Sequence, residues 1–146
     1  MGIRRLNKEF KLDVCNDMSL KYGTVNRDNP RVVYVSGKCW IKPLKKMDYE
    51  NVISKIQDSF KKRVKSYMLD GECFDNRLII DFDINSDKIN LGEKKFLSFD
   101  FYLRQNEKAQ KNLKDLKGLF SRKMNVVANE LIEMFNENNF SVVKKK

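Results

Sequence analysis

Histidine is absent from this chain of 146 residues. That removes the commonest general base, both the Ser–His and the Cys–His nucleophile pairs, and the commonest metal ligand. Cysteine is scarce. Cys15, Cys39 and Cys73 stand far apart with no CxxC spacing, so a zinc site is not expected. An odd number without a signal peptide points to a reducing compartment and buried thiols. The chain has 6 glycines and 2 prolines, and they form neither GxGxxG nor GxxxxGK, so no nucleotide cradle is built. No apolar run reaches the length of a membrane span. Met1-Gly2-Ile3-Arg4-Arg5 leads into no apolar h-region. The myristoylation pattern wants Ser or Thr where Leu6 stands. The expectation is a soluble protein of the cytoplasm, or of a particle assembled there, with no membrane partner and no cofactor.

What is present is positive charge. Lysine and arginine exceed aspartate and glutamate by 30 to 20, a formal net charge of +10. Such an excess points to a polyanionic partner, either nucleic acid (DNA or RNA) or an acidic protein surface, although lysine-rich surfaces also serve solubility. Hydrophobic content of 41% with 11% aromatics is that of a globular chain. The length fits one domain over 1–146, with a basic tail at 144–146. The Lys/Asn/Phe/Ile-rich composition is compatible with an AT-rich phage or mobile element.

Periodicity divides the chain into strands and two helices. Phe10, Leu12 and Val14 alternate with Lys11 and Asp13 as in a half-buried strand. Turn residues gather between Asn26 and Pro30. Val32–Val35 and Cys39–Ile41 flank Ser36-Gly37, either as one long strand with a bulge at Gly37 or as a tight hairpin, and Pro43 ends it. From Asp48 to Leu69, Val52, Ile53, Ile56, Phe60 and Val64 recur at helical spacing, with Asp48 as N-cap and Gly71 as the C′ residue. Leu78, Ile80, Phe82 and Ile84, then Leu97, Phe99, Phe101 and Leu103, predict an antiparallel hairpin with one wet face. A closing helix runs from about Lys108 to Phe135 on Leu113, Leu116, Phe120, Met124, Val127 and Leu131. Gly118 within it permits close packing or a bend. Phe140, Val142 and Val143 add a short edge strand. The expected fold is α+β, a two-layer sandwich of four to five mainly antiparallel strands with two long amphipathic helices on one face, in the order β-β-α-β-β-α.

The closing helix is charged against its own dipole. Lys108, Lys111, Lys114, Lys117, Arg122 and Lys123 crowd its first half, and Glu130, Glu133 and Glu137 its second. A helix dipole favours the reverse, by roughly 0.3–1 kcal/mol per charge. These cations, with Lys61, Lys62, Lys65 and the Lys144–Lys146 tail, are the candidate polyanion-binding set. The first helix carries its lysines late, where the dipole wants them.

A second candidate is acidic. Asp81 and Asp83 share one face of their strand, and Asp100 lies on the polar face of the next, so the three can be cross-strand partners. Carboxylates in mutual reach suit a hard cation, but alternation on a solvated face explains them more simply, and no metal is expected. Asp81-x-Asp83-x-Asn85-x-Asp87 is rejected as a calcium loop, because Ser86 and Gly92 stand where that loop needs its glycine and its final glutamate. Glu93-Lys94-Lys95 downstream of Asp81 resembles the D…ExK pattern of the PD-(D/E)xK nuclease family. The resemblance covers three residues and implies a metal-dependent nuclease, but in that family the ExK lies within an apolar strand, and here Glu93 falls in a loop. Tyr102 faces water, and Tyr34 and Trp40 are further surface candidates for stacking on bases.

The expected function is therefore non-enzymatic binding of a polyanion, foremost nucleic acid, through phosphate contacts. The alternative is a structural subunit of a ring or virion-type particle, a homo-oligomer or larger assembly that pairs acidic with basic faces. The nuclease is the remote third.

Overall fold

Leu97, Phe99, Phe101 and Leu103 are fully buried, while Ser98, Asp100 and Tyr102 between them stay partly exposed. This period-two pattern, carried on β-favouring residues, makes the strand Lys95–Gln105. The computed structural model describes residues 9–12, 17–26, 29–69, 74–84, 89–107 and 113–143. Within them lie β1 (Glu9–Leu12), β2 (Ser19–Asn26), β3 (Asn29–Pro43), α1 (Tyr49–Met68), β4 (Phe74–Asp83), β5 (Lys95–Gln105), α2 (Leu113–Glu137) and β6 (Phe140–Val143).

The protein is mixed α+β with an antiparallel sheet, as the patterning implies, but the strand number and order differ from expectation. The described residues form a six-stranded sheet in the order β1-β2-β3-β5-β4, with β6 paired to β3. Among the described residues three strands, not two, precede α1. The extra one is β2. Its buried Leu20, Tyr22 and Thr24 alternate with Ser19, Lys21 and Gly23, but a threonine on the core side and a glycine on the other blur the signal.

β3 organises the sheet. Along one edge its residues Asn29 to Lys38 pair with β2, and Trp40 to Pro43 then pair with β6. Along the other edge, Val32 to Ile41 pair with β5 without interruption. Gly37 is thus neither a bulge nor a hairpin turn. It pairs with Leu20 on one side and Phe99 on the other. A Cβ at this position would lie 2.5 and 2.8 Å from Phe99 Cε2 and Cε1, so the glycine exists to let that ring lie across the strand.

Asp48 caps α1 as expected, its carboxylate accepting from the Asn51 N–H at 3.3 Å. Leu69 is the C-cap, and Gly71 lies outside the described residues. Ile53, Ile56, Phe60, Val64 and Met68 form the buried face. In α2 the buried face is Leu116, Phe120, Met124, Val127, Ala128, Leu131 and Phe135. Aromatic contacts tie both helices to one face of the sheet. Phe60 meets Phe82 and Phe99, and Phe120 meets Phe74 and Tyr22. Phe140 of β6 packs between Tyr49 and Phe135. The helices run antiparallel, since Arg63 bonds Glu130 and Lys123 reaches Tyr67. Gly118 is exposed with no atom within 4 Å of an added Cβ, so close packing is not its reason.

α2 ends on a left-handed residue, Asn139, at φ 65°. The Asn138 side-chain amide donates to the Met134 carbonyl at 2.7 Å, satisfying one orphan acceptor. The last turn has no basic residue, so that end stays unfavourable to the dipole. Asp115 lies in the first described turn, and Lys108 and Lys111 lie outside the described residues. Cys39 is buried; Cys15 and Cys73 lie outside the described residues. No described helix is long and apolar enough to cross a membrane.

Candidate nucleic-acid interface

The cations expected to form the site are spread over the helical side. Lys108, Lys111 and the 144–146 tail lie outside the described residues, as does the side chain of Lys114. Lys117 and Arg122 of α2 are exposed, as are Lys62 and Lys65 of α1, with Lys61 half-buried. Lys123 has a structural partner. Its ammonium donates to the Tyr67 carbonyl at 2.6 Å, in the last turn of α1, where a cation also suits the dipole.

The acidic trio is only partly assembled. The register sets Asp81 opposite Asp100, and Asp83 opposite Ser98. Asp83 is exposed and Asp100 half-buried; the Asp81 side chain is not among those described. No group of three metal-ligating side chains occurs among the described residues. Glu93 sits in the turn before β5 and accepts from the Asn90 side chain at 2.6 Å. Asp100, opposite Asp81, stands five residues along β5 from Lys95, roughly 17 Å at about 3.4 Å per residue. The Asp and Lys of the nuclease-like pattern are thus not brought together.

The other face of the sheet gathers a different set. The even-numbered residues of β3 and β5 point away from the helices. Tyr34 and Tyr102 are paired in register, with ring centroids 6.4 Å apart. Trp40 and Phe96 are paired likewise, edge to face at 5.3 Å. Phe96 is 42% exposed, unusual for a phenylalanine with a large core at hand. Beside this pair, Trp40, Asp83, Ile84, Lys94, Lys95 and Phe96 line a cleft of about 380 Å³.

Toward the β1 edge a second cleft, of about 360 Å³, is lined by Glu9, Phe10, Lys11, Ser19, Lys21, Ser36 and Lys38. Its three lysines come from three adjacent strands. Lys11 pairs with Lys21, Lys21 with Ser36, and Lys38 with Ser19. Lys38 precedes Trp40 by two residues on β3, about 7 Å, so the basic and aromatic clefts adjoin. Arg104 lies on the same face, half-buried, and its Nε has no hydrogen-bond partner among the described residues.

Glu9 anchors the basic cleft. It accepts from the Tyr34 hydroxyl, and Lys21 Nζ lies 3.1 Å away. The Tyr34 hydrogen bond, helped by Lys21 and Lys38, holds the Glu9 carboxyl below its ordinary value of 4.5. Burial, then Glu9, raises the Tyr34 hydroxyl. The two shifts bound a pH window. A lowered Glu9 contributes stability that is present above its unfolded value and lost as pH falls through its folded one. A raised Tyr34 contributes stability that is present below about 10, the ordinary value, and lost as pH rises above it. The Glu9–Tyr34 tie between β1 and β3 is therefore strongest from about pH 5 to 9. Tyr34→Phe is expected to cost about 0.5–1.5 kcal/mol at pH 7, with Glu9 exposure keeping the value below that of a buried charged bond. Denaturant melts of the variant should show a weaker pH dependence at both limbs than wild type.

Tyr34, Trp40 and Tyr102, the surface candidates of the sequence, are half-buried on this outer face, and sequence patterning did not show this basic cleft. Lys11, Lys21 and Lys38 each occupy the polar position of an alternating strand, and only the pairing of the strands brings them together. Comparison with protein-family models, curated proteins and solved structures finds no match to this chain.

Proposed function

We propose that this protein is a non-enzymatic nucleic-acid-binding protein that holds its ligand on the sheet face away from the helices. The observation that carries this reading is the convergence of Lys11, Lys21 and Lys38 in one cleft beside the exposed Phe96 and the half-buried Trp40, on a chain of net charge +10. In this reading the two-layer arrangement, with both helices on one side, leaves the other side of the sheet for the ligand. Phosphates take the lysine ammonium groups by charge. Lys62, Lys65, Lys117 and Arg122 on the helical side raise the encounter rate through the overall field. The protein works in the cytoplasm or in a particle assembled there.

Salt is the test. Six to ten phosphate contacts make affinity fall about 10³–10⁵-fold between 50 and 200 mM salt. Fluorescence anisotropy of a labelled oligonucleotide across that range is expected to give a straight log–log line of steep negative slope. Binding indifferent to salt, or no binding at low salt, refutes the reading.

A second reading is favoured by one feature. The outer face is split in charge, with lysines on β1 to β3 and Asp83 and Asp100 on β4 and β5. Such a surface can pair head to tail with another copy and build a ring or particle. Light scattering at low and moderate salt distinguishes them: a strict monomer at both removes this second reading.

A further inference from the structure

We infer that the ligand of the outer sheet face is a single strand, with bases stacked on Trp40 and Phe96 and phosphates held by Lys11, Lys21 and Lys38. This rests on the nucleic-acid reading above and names the form of nucleic acid that fits. A duplex keeps its bases paired and offers a protein only their edges within a groove. A single strand can splay its bases onto aromatic side chains, and every base has a face to stack. The sheet supplies such side chains where they bring no benefit to the core. Phe96 is 42% exposed, and Trp40 meets it edge to face at 5.3 Å.

Charge sets the direction of the strand. Among the described residues the cleft at the β1 edge carries Lys11, Lys21 and Lys38 against the one carboxylate of Glu9, which is already engaged by Tyr34 and Lys21. The aromatic cleft carries Lys94 and Lys95 at its rim and Asp83 in its wall. Asp100 lies on β5 beside the basic cleft, opposite its Ser36. Asp83 and Asp100 repel phosphate, so the backbone keeps to the β1–β3 side while the bases extend toward β5. Carboxylates there are suited to accept from exocyclic base amines. Tyr34 and Tyr102 continue the aromatic surface along the same two strands. Lys38 and Trp40, two residues apart on β3, place a cation and a ring within reach of one nucleotide.

Trp40 is the sole tryptophan of the chain, so its emission reports directly on the site. The test titrates the full chain at low salt with oligothymidylate, with a duplex of equal length and with heparin. Stacking is expected to quench Trp40 emission with the single strand and not with duplex or heparin. Phe96→Ala is expected to weaken oligothymidylate binding about 5- to 100-fold and to leave heparin affinity unchanged. If Phe96→Ala does not fold, quenching in the wild-type protein still decides the matter. Unquenched Trp40, or tighter binding of duplex than of single strand, overturns this inference. With salt-dependent duplex or heparin binding intact, the broader nucleic-acid reading survives that result. No binding of any of the three overturns both. A mass that rises with protein concentration, accompanied by a shift in Trp40 emission without ligand, places a second copy on this face and also overturns the inference.

Discussion

Phe120→Ala is expected to destabilise the protein by about 3–5 kcal/mol. Phe120 is fully buried in α2 and stacks on Phe74 of β4, with ring planes 14° apart and centroids at 5.8 Å. It also meets Tyr22 of β2 at 5.0 Å. β2 and β4 are not neighbours in the sheet; β3 and β5 separate them. One ring therefore closes the core between distant strands, and neither side can collapse into the void without breaking ladder pairs. That places the variant toward the upper part of the range for such truncations. A domain of this kind has about 5–15 kcal/mol in total, so Phe120→Ala consumes a large share. Urea melts should show a much lower midpoint with an unchanged slope. A loss under about 1 kcal/mol means that the ring does not bridge the strands as described. Phe120→Leu, which keeps most of the volume, should recover more than half of the loss.

Gly37→Ala is expected to cost about 2–3 kcal/mol, against the general rule that alanine is better than glycine in a strand. The reason is local. The added methyl would meet the Phe99 ring. Phe99 has no room to retreat, being fully buried, 5.0 Å from Phe60 and 6.2 Å from Phe101. If that ring is the cause, Phe99→Leu should relieve it. Gly37→Ala should then cost well under 1 kcal/mol in the Phe99→Leu background, and the double-mutant cycle should show coupling above about 1 kcal/mol. Additive losses in the two variants contradict the account of Gly37.

Gly37 also shows why part of the fold was legible in the sequence and part was not. The alternation of Val33 to Ile41 marks a strand, and a glycine in a strand signals a bulge or a close approach with equal force. Only the partner strand decides between them, and the partner is Phe99, far along the chain. β2 was hidden for a related reason. Its core side ends in Thr24, which is buried only because neighbouring strands enclose it. Helices α1 and α2 were clear because a 3.6-residue apolar stripe is a local signal.

The site was less legible than the fold. Net charge motivated the proposed class of partner, and the charge order of the last helix pointed to its N-terminal end. Lysines, however, are compatible with any exposed position, and the sequence cannot say which of them converge. Lys11, Lys21 and Lys38 converge because β1, β2 and β3 are hydrogen-bonded neighbours. Phe96 falls outside the alternating set of Leu97, Phe99, Phe101 and Leu103. It is exposed because position 96 shares the outer face with Ser98, Asp100 and Tyr102.

The central claim is that the ligand lies on the sheet face and not on the helices. Two triple charge-reversal variants test it most directly, by anisotropy with a labelled single strand at 50 mM salt. Lys11→Glu/Lys21→Glu/Lys38→Glu removes the cleft, and Lys62→Glu/Lys65→Glu/Arg122→Glu leaves the same net charge with the cleft intact. The account predicts that the first loses about 100-fold or more in affinity and about two in the log–log salt slope, as loss of three phosphate contacts requires. The second should lose only a few-fold. Equal losses in the two, or the larger loss in the helix variant, contradict it.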